Sequence, residues 1–118
     1  MEISHHLKNW AQEDQPIFKM LHKGPKYLSD VELVSILLQH GTVQNNAVEL
    51  ARKLLHSTHH DLLQLAKLSI ADILALKING IGKVKAVRIL AAIELGSRRM
   101  NKGFEKKILD KVKMWQNM

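Results

Sequence analysis

The chain contains no cysteine, two prolines and five aromatic residues among its 118. Without cysteine it can form neither disulfides nor zinc–thiolate sites. No stretch approaches the ~18 uninterrupted apolar residues of a membrane span. The opening, MEISHHLKNW, lacks the apolar run of a signal peptide. These absences point to a cytoplasmic protein with no membrane partner. Val, Ile and Thr never alternate between turn residues as they would in a strand, so the fold class expected is all-α.

What is present is enough for one core: hydrophobic residues make up 46% of the chain, a length and balance suited to a single domain. The net charge is +7, and it is unevenly placed. Residues 1–76 carry seven Lys/Arg and eight Asp/Glu, whereas residues 77–118 carry eleven and three. All of the excess positive charge lies after Leu76, which points to a polyanionic partner.

The pattern is helical almost throughout. Pro16 opens a short segment, IFKMLHK, that Gly24-Pro25 ends. Ser29 and Glu32 have capping-box spacing ahead of VELVSILLQH, with Gly41 as the expected C-terminal stop. Asn46 and Glu49 form a second such box ahead of ELARKLLHS. Thr58 is the expected cap of a short helix, HHDLLQLAK, and Ser69 with Asp72 starts IADILALK. Lys83–Ser97 reads as the longest helix of the main body. SRRMNKG reads as a polar linker, and Phe104, Ile108, Val112 and Trp115 mark a last amphipathic helix. Domain boundaries follow: 1–100 for the helical domain and 101–118 for a basic C-terminal helix or linker.

Shifting the chain by 39 residues lays Leu37, Gly41, Ala47 and Val48 over Leu76, Gly80, Ala86 and Val87. These identities fall at a helix end, a turning glycine and a small residue one turn into the next helix. The sequence therefore reads as two helix–turn–helix units, with the first copy degenerate: it has Thr42-Val43 where the second has Ile81-Gly82.

That second turn, Ile78-Asn79-Gly80-Ile81-Gly82, carries the chemistry. Glycine takes positive φ at little cost and lets another group approach the backbone. The first N–H groups of a helix have no internal partner and sit at the positive end of its dipole. An oxyanion can be held there by the amides of Ile81, Gly82, Lys83 and Val84. Lys83 and Lys85 add charge, with Lys77, Arg88, Arg98 and Arg99 as supporting cations. Ile78 and Ile81 pin the turn, and Ala86, like Ala47 and Gly41 in the first copy, allows close packing. A GxGxxG dinucleotide loop is excluded because no strand precedes the turn and position 85 is lysine. A plain corner between two packed helices is the competing reading.

The order apolar–x–Gly–apolar–Gly, with Ala86 four residues later, resembles the helix-hairpin-helix motif. That resemblance implies contact with DNA sugar-phosphate through the amides of residues 80–83, without base reading. Asn79 stands where proline is common. A longer stretch, roughly residues 7–99, resembles the N-terminal region of the bacterial RadC family, named as DNA repair proteins. The matching pieces are LKNWAQEDQPIFKMLHKGPKYLSDVELVSILLQHGT, NAVELARKLL and KINGIGKVKAVRILAAIELGSRR. The resemblance implies a substrate-engaging DNA module that, in a longer parent chain, adjoins a C-terminal metal-dependent domain similar to JAB/MPN peptidases. The metal signature of that domain pairs H-x-H with Ser-x-x-Asp, and no H-x-H occurs in these 118 residues.

Other residues read more blandly. His56 and His60 are spaced for two ligands on one helix face, but a zinc site needs three or four convergent donors. No metal or cofactor is expected. Glu13-Asp14 and Asp30/Glu32 sit at expected helix starts, where acids complement the dipole. No serine has a nucleophile-elbow setting, so no enzyme is expected. Trp10, Phe18 and Tyr27 read as a plug at one end of the core. The functional expectation is sequence-independent DNA binding. The alternative is a protein-interaction or regulatory module in which the turn is only a corner.

Overall fold

The computed structural model describes residues 15–116. His5, His6, Trp10, Glu13 and Asp14 lie outside that range, and the side chain of Phe104 is outside the described set. The described chain is all-α, as the composition predicts, with no strand among its residues. The helices are α1 (Pro16–Lys23), α2 (Asp30–Leu38), α3 (Ala47–Ser57), α4 (Leu62–Ala66), α5 (Ile70–Ala75) and α6 (Lys83–Gln116), with a 3₁₀ turn at Pro25–Tyr27.

The starts follow the capping signals in the sequence. Pro16 begins α1, and Gly24, at φ 100°, ends it. Ser29, Asn46 and Ser69 each accept from the backbone N–H three residues on. Glu32, Glu49 and Asp72 reach back to the cap N–H, so both halves of each box are made. Lys19 Nζ lies 2.9 Å from Glu32 Oε2, tying α1 to the start of α2. Burial pushes the Glu32 carboxyl up, but the bonds from Ser29 and Lys19 outweigh it and hold the group below its ordinary value.

The core lies between α2 and α3 and is closed by α6, which packs on α2, α4 and α5. Leu50, Leu54 and Leu55 of α3 are at most 1% exposed and meet Leu38 of α2, Leu65 of α4, Ile73 of α5 and Ile89 of α6 in one cluster. Each such side chain contributes about 1.5–3 kcal/mol through burial.

Four expectations are corrected. Helix α2 stops at Leu38 rather than at Gly41, because Gln39 itself takes the positive-φ capping position at 66°. Thr58 ends α3, its buried hydroxyl donating to the Leu55 carbonyl, and Asp61 caps α4 in its place. SRRMNKG is no linker: α6 runs unbroken for 34 residues, roughly 51 Å. Gly96 and Gly103 interrupt nothing, since a helical glycine costs only about 1 kcal/mol and no proline stands among the residues of α6. Tyr27 does not plug the core; it is 58% exposed, with Lys26 Nζ 5.6 Å from its ring centroid.

From Glu94 onward every described side chain of α6 is exposed. The helix therefore has a packed half and a projecting half, and the molecule measures 71 × 36 × 22 Å.

Candidate functional site

The two helix–turn–helix units of the repeat are α2–α3 and α5–α6. Ala47 and Ala86, equivalent under the 39-residue shift, are 2% and 0% exposed. The helix starts differ. Helix α6 begins at Lys83, which falls on Gln44 under the same shift, three residues ahead of Ala47 where α3 begins.

In the second turn Lys77 and Gly80 take positive φ, 54° and 101°. Ile81 is 6% exposed and its N–H donates to the Ile78 carbonyl at 3.0 Å. The turn is thus nailed inward by its apolar residue, and Gly82 comes out as the residue before α6. The Gly82 carbonyl accepts the first helical bond, from Ala86 N–H, at 3.0 Å. A Cβ placed on Gly82 would meet nothing within 4 Å. Among the described residues, none accepts a hydrogen bond from the N–H of Gly82, Lys83 or Val84. This is an open helix start with no side-chain cap, and both Lys83 and Val84 are exposed.

The first turn is closed. Thr42 N–H donates to the Asn45 carbonyl at 2.6 Å, and Asn45 N–H to Thr42 Oγ1 at 3.1 Å. Glu49 N–H donates to Asn46 Oδ1 at 2.8 Å, while Asn46 N–H donates to Glu49 Oε1 at 3.0 Å. At this start the amides of the cap residue Asn46 and of Glu49 are answered from within, and a carboxylate already occupies the positive end of the dipole. A Cβ on Gly41 would run into the Asn45 carbonyl and the Asn46 backbone.

The residues expected in the site divide accordingly. Gly82 and Lys83 meet at the open start, with Val84 beside them. Lys77 is exposed at the end of α5, and Arg88 is exposed on the next turn of α6. Ile81 contributes its buried side chain rather than its amide. The ammonium of Lys85 points inward, donating to the His40 carbonyl at 2.7 Å and to the Gly80 carbonyl at 2.8 Å. Burial, and to a lesser degree the charge of Arg88, pull its pKa below the usual lysine value. Arg98 and Arg99 are not brought to the turn: they lie 15 and 16 residues along α6 from Lys83, roughly 22–24 Å along the axis. Arg98 is also paired with Glu94 at 2.9 Å.

No role for His40 or Thr42 was read from the sequence. The His40 carbonyl anchors Lys85, and Thr42 Cγ2 lies 2.6 Å from where a Gly80 Cβ would stand. Contacts between residues about 40 apart leave no local signal; only the repeat shows that the two turns are related. His56 and His60 have rings 6.1 Å apart, and among the described residues no group of three or more metal-ligand side chains converges.

Comparison with known proteins places these features in a family context. Residues 7–87 match the family region described as UPF0758 N-terminal. A UPF0758 protein of Flavobacterium johnsoniae is 42% identical over 100 residues, covering 84% of this chain and 42% of the relative. One from Bacillus velezensis is 46% identical over 92 residues, covering 78% and 38%, and one from Clostridioides difficile is 41% identical over the same length and shares. The chain thus spans about two-fifths of the length of these curated relatives. No solved structure matches it.

Proposed function

Because this chain belongs to the UPF0758 family through that N-terminal region, the family to which the RadC resemblance points, we propose that it is the region's DNA-binding module. It grips backbone phosphates at a helix-hairpin-helix turn without reading bases. The observation that carries this reading is the open start of α6. Three amides, Gly82 to Val84, lack acceptors among the described residues, and Gly82 leaves the space in front of them empty. Lys83 stands exposed beside them. A phosphate oxygen there receives backbone donors at the positive end of a long helix. The module performs no chemistry itself; it holds DNA in the cytoplasm for the remainder of a longer protein.

A duplex held through about three to five phosphates gives log K falling with log salt at about −0.9 per phosphate. Unrelated sequences of equal length bind alike. Salt titration with fluorescent duplexes measures both. A flat salt response, or no binding at low salt, refutes the reading.

A protein-interaction module is the second reading. The specific observation in its favour is the projecting half of α6, where Met100 and Trp115 are 76% and 65% exposed. It requires DNA binding to be absent or unaffected by Lys83→Glu.

A further inference from the structure

The two turns are joined at three points. Lys85 Nζ bridges the His40 carbonyl of the first turn and the Gly80 carbonyl of the second, at 2.7 and 2.8 Å. Thr42 Cγ2 and Leu50 Cδ1 fill the space in front of Gly80, 2.6 and 2.9 Å from where a Cβ would lie. Of these joints only the lysine is polar. It is also the only one that starts on α6 itself, in the same helical turn as the Lys83 and Val84 amides.

A lysine in the first turn of a helix faces the positive end of the dipole. Here that unfavourable placement is offset by two carbonyl oxygens, each belonging to a different turn. The arrangement engages the part-buried ammonium of Lys85 with both turns at the point where α6 leaves the Gly80 turn. The first unit, whose own helix start is closed by Asn46 and Glu49, then has a task that needs no ligand: it is the abutment against which the second turn is set.

We propose that Lys85 is a positioning residue. It straps the open turn to the closed one and so aims the Gly82–Val84 amides, and it does not itself bind phosphate. The proposal rests on the DNA-binding reading for the purpose of the aim, while the strap exists in the free protein and is tested there as well.

Two variants separate the roles. Lys83→Met removes an exposed cation, and Lys85→Met removes the strap while keeping the apolar stem. In duplex binding, Lys83→Met lowers the magnitude of the salt slope by about 0.9, the mark of a lost phosphate contact. Lys85→Met weakens binding about tenfold (1.4 kcal/mol) with the slope of the parent retained. In amide NMR spectra of the free variants, Lys85→Met shifts His40, Gly41 and Gly80 to Val84 together. Lys83→Met leaves the first turn unmoved. A slope change for Lys85→Met equal to that of Lys83→Met overturns the proposal, as do first-turn resonances unchanged by losing the ammonium. Should Lys85→Met fail to fold, Lys85→Arg takes its place: its forked donors span both carbonyls, so it keeps the parent spectrum and slope, and a lowered slope refutes the strap. If the parent binds no DNA, the functional reading falls while the free-protein spectra still decide the strap.

Discussion

The two turns of this molecule occupy equivalent places in the repeat and present opposite surfaces. The first ends in a helix whose cap residue Asn46 and third residue Glu49 answer each other's amides, with a carboxylate at the dipole's positive end. The second ends in a helix that starts three residues earlier, at Lys83, preceded by Gly82 and with no side-chain cap among the described residues. On the proposed reading, the difference teaches that a helix start becomes a ligand site through what is omitted. Where the side chain that would satisfy the amides is missing, an external anion can supply the oxygen. At the first start the Asn46–Glu49 box supplies such oxygens from within.

The largest break in this comparison comes from its two glycines. Gly80→Val forces a β-branched residue to φ 101° and drives its Cβ into Thr42 and Leu50. The strained backbone costs about 1–2 kcal/mol and the overpacking about 1–3 kcal/mol more. Gly82→Ala faces open space and no positive φ, so its stability stays within about 1 kcal/mol of the parent, yet the methyl group obstructs an approaching phosphate. Thermal melts paired with duplex binding separate the two. Equal melting losses contradict the geometry described.

Charge reversal is next in size. Lys83→Glu lowers DNA affinity at least tenfold, about 1.4 kcal/mol, with melting nearly unchanged because the residue is exposed. Gln44→Glu, its equivalent at the closed turn, loses much less. Equal losses indicate a diffuse field rather than a site at the open start.

The comparison sharpens when the first start is opened. Asn46→Ala removes a cap worth about 1 kcal/mol, read as a lower melting temperature. Asn46→Gly, paired with Glu49→Lys, leaves uncapped amides beside a cation. This double variant binds DNA more tightly than the parent, and a gain that is absent or negative argues that uncapped amides alone do not make the site.

The smallest effect is a titration at a helix start away from both turns. Glu32 has a folded pKa below its ordinary value. Its contribution to stability is therefore present above the unfolded pKa and lost as pH falls through the lower, folded one. Glu32→Gln flattens this acid limb in melts taken from neutral pH to below pH ~4. An unchanged limb means that the Lys19–Glu32 pair and its cap carry no net stability.

Much of this was legible in the sequence. Ser29, Asn46 and Ser69 announced their helices because capping boxes are local, four-residue codes. The repeat located both turns, since glycine and alanine recur where backbones must approach. The pattern Gly80-Ile81-Gly82-Lys83 raised the expectation of unpaired amides from Ile81 to Val84. The inward course of Lys85 was not, because its acceptors are carbonyls, one of them 45 residues away, and a carbonyl has no residue identity to read. Ile81 was expected both to pin the turn and to offer its amide; the tight turn engages that amide with the Ile78 carbonyl. The continuity of α6 was missed because glycines and a polar stretch mimic a linker when the helix has nothing to bury.

The most direct test of the open start is an amide NMR titration of the parent with a short duplex at low salt. The account predicts that shifts concentrate at Gly82, Lys83 and Val84, while Thr42 and Asn45 to Glu49 stay in place. Shifts confined to the lysines of the projecting half of α6, with Gly82 to Val84 unmoved, would contradict it.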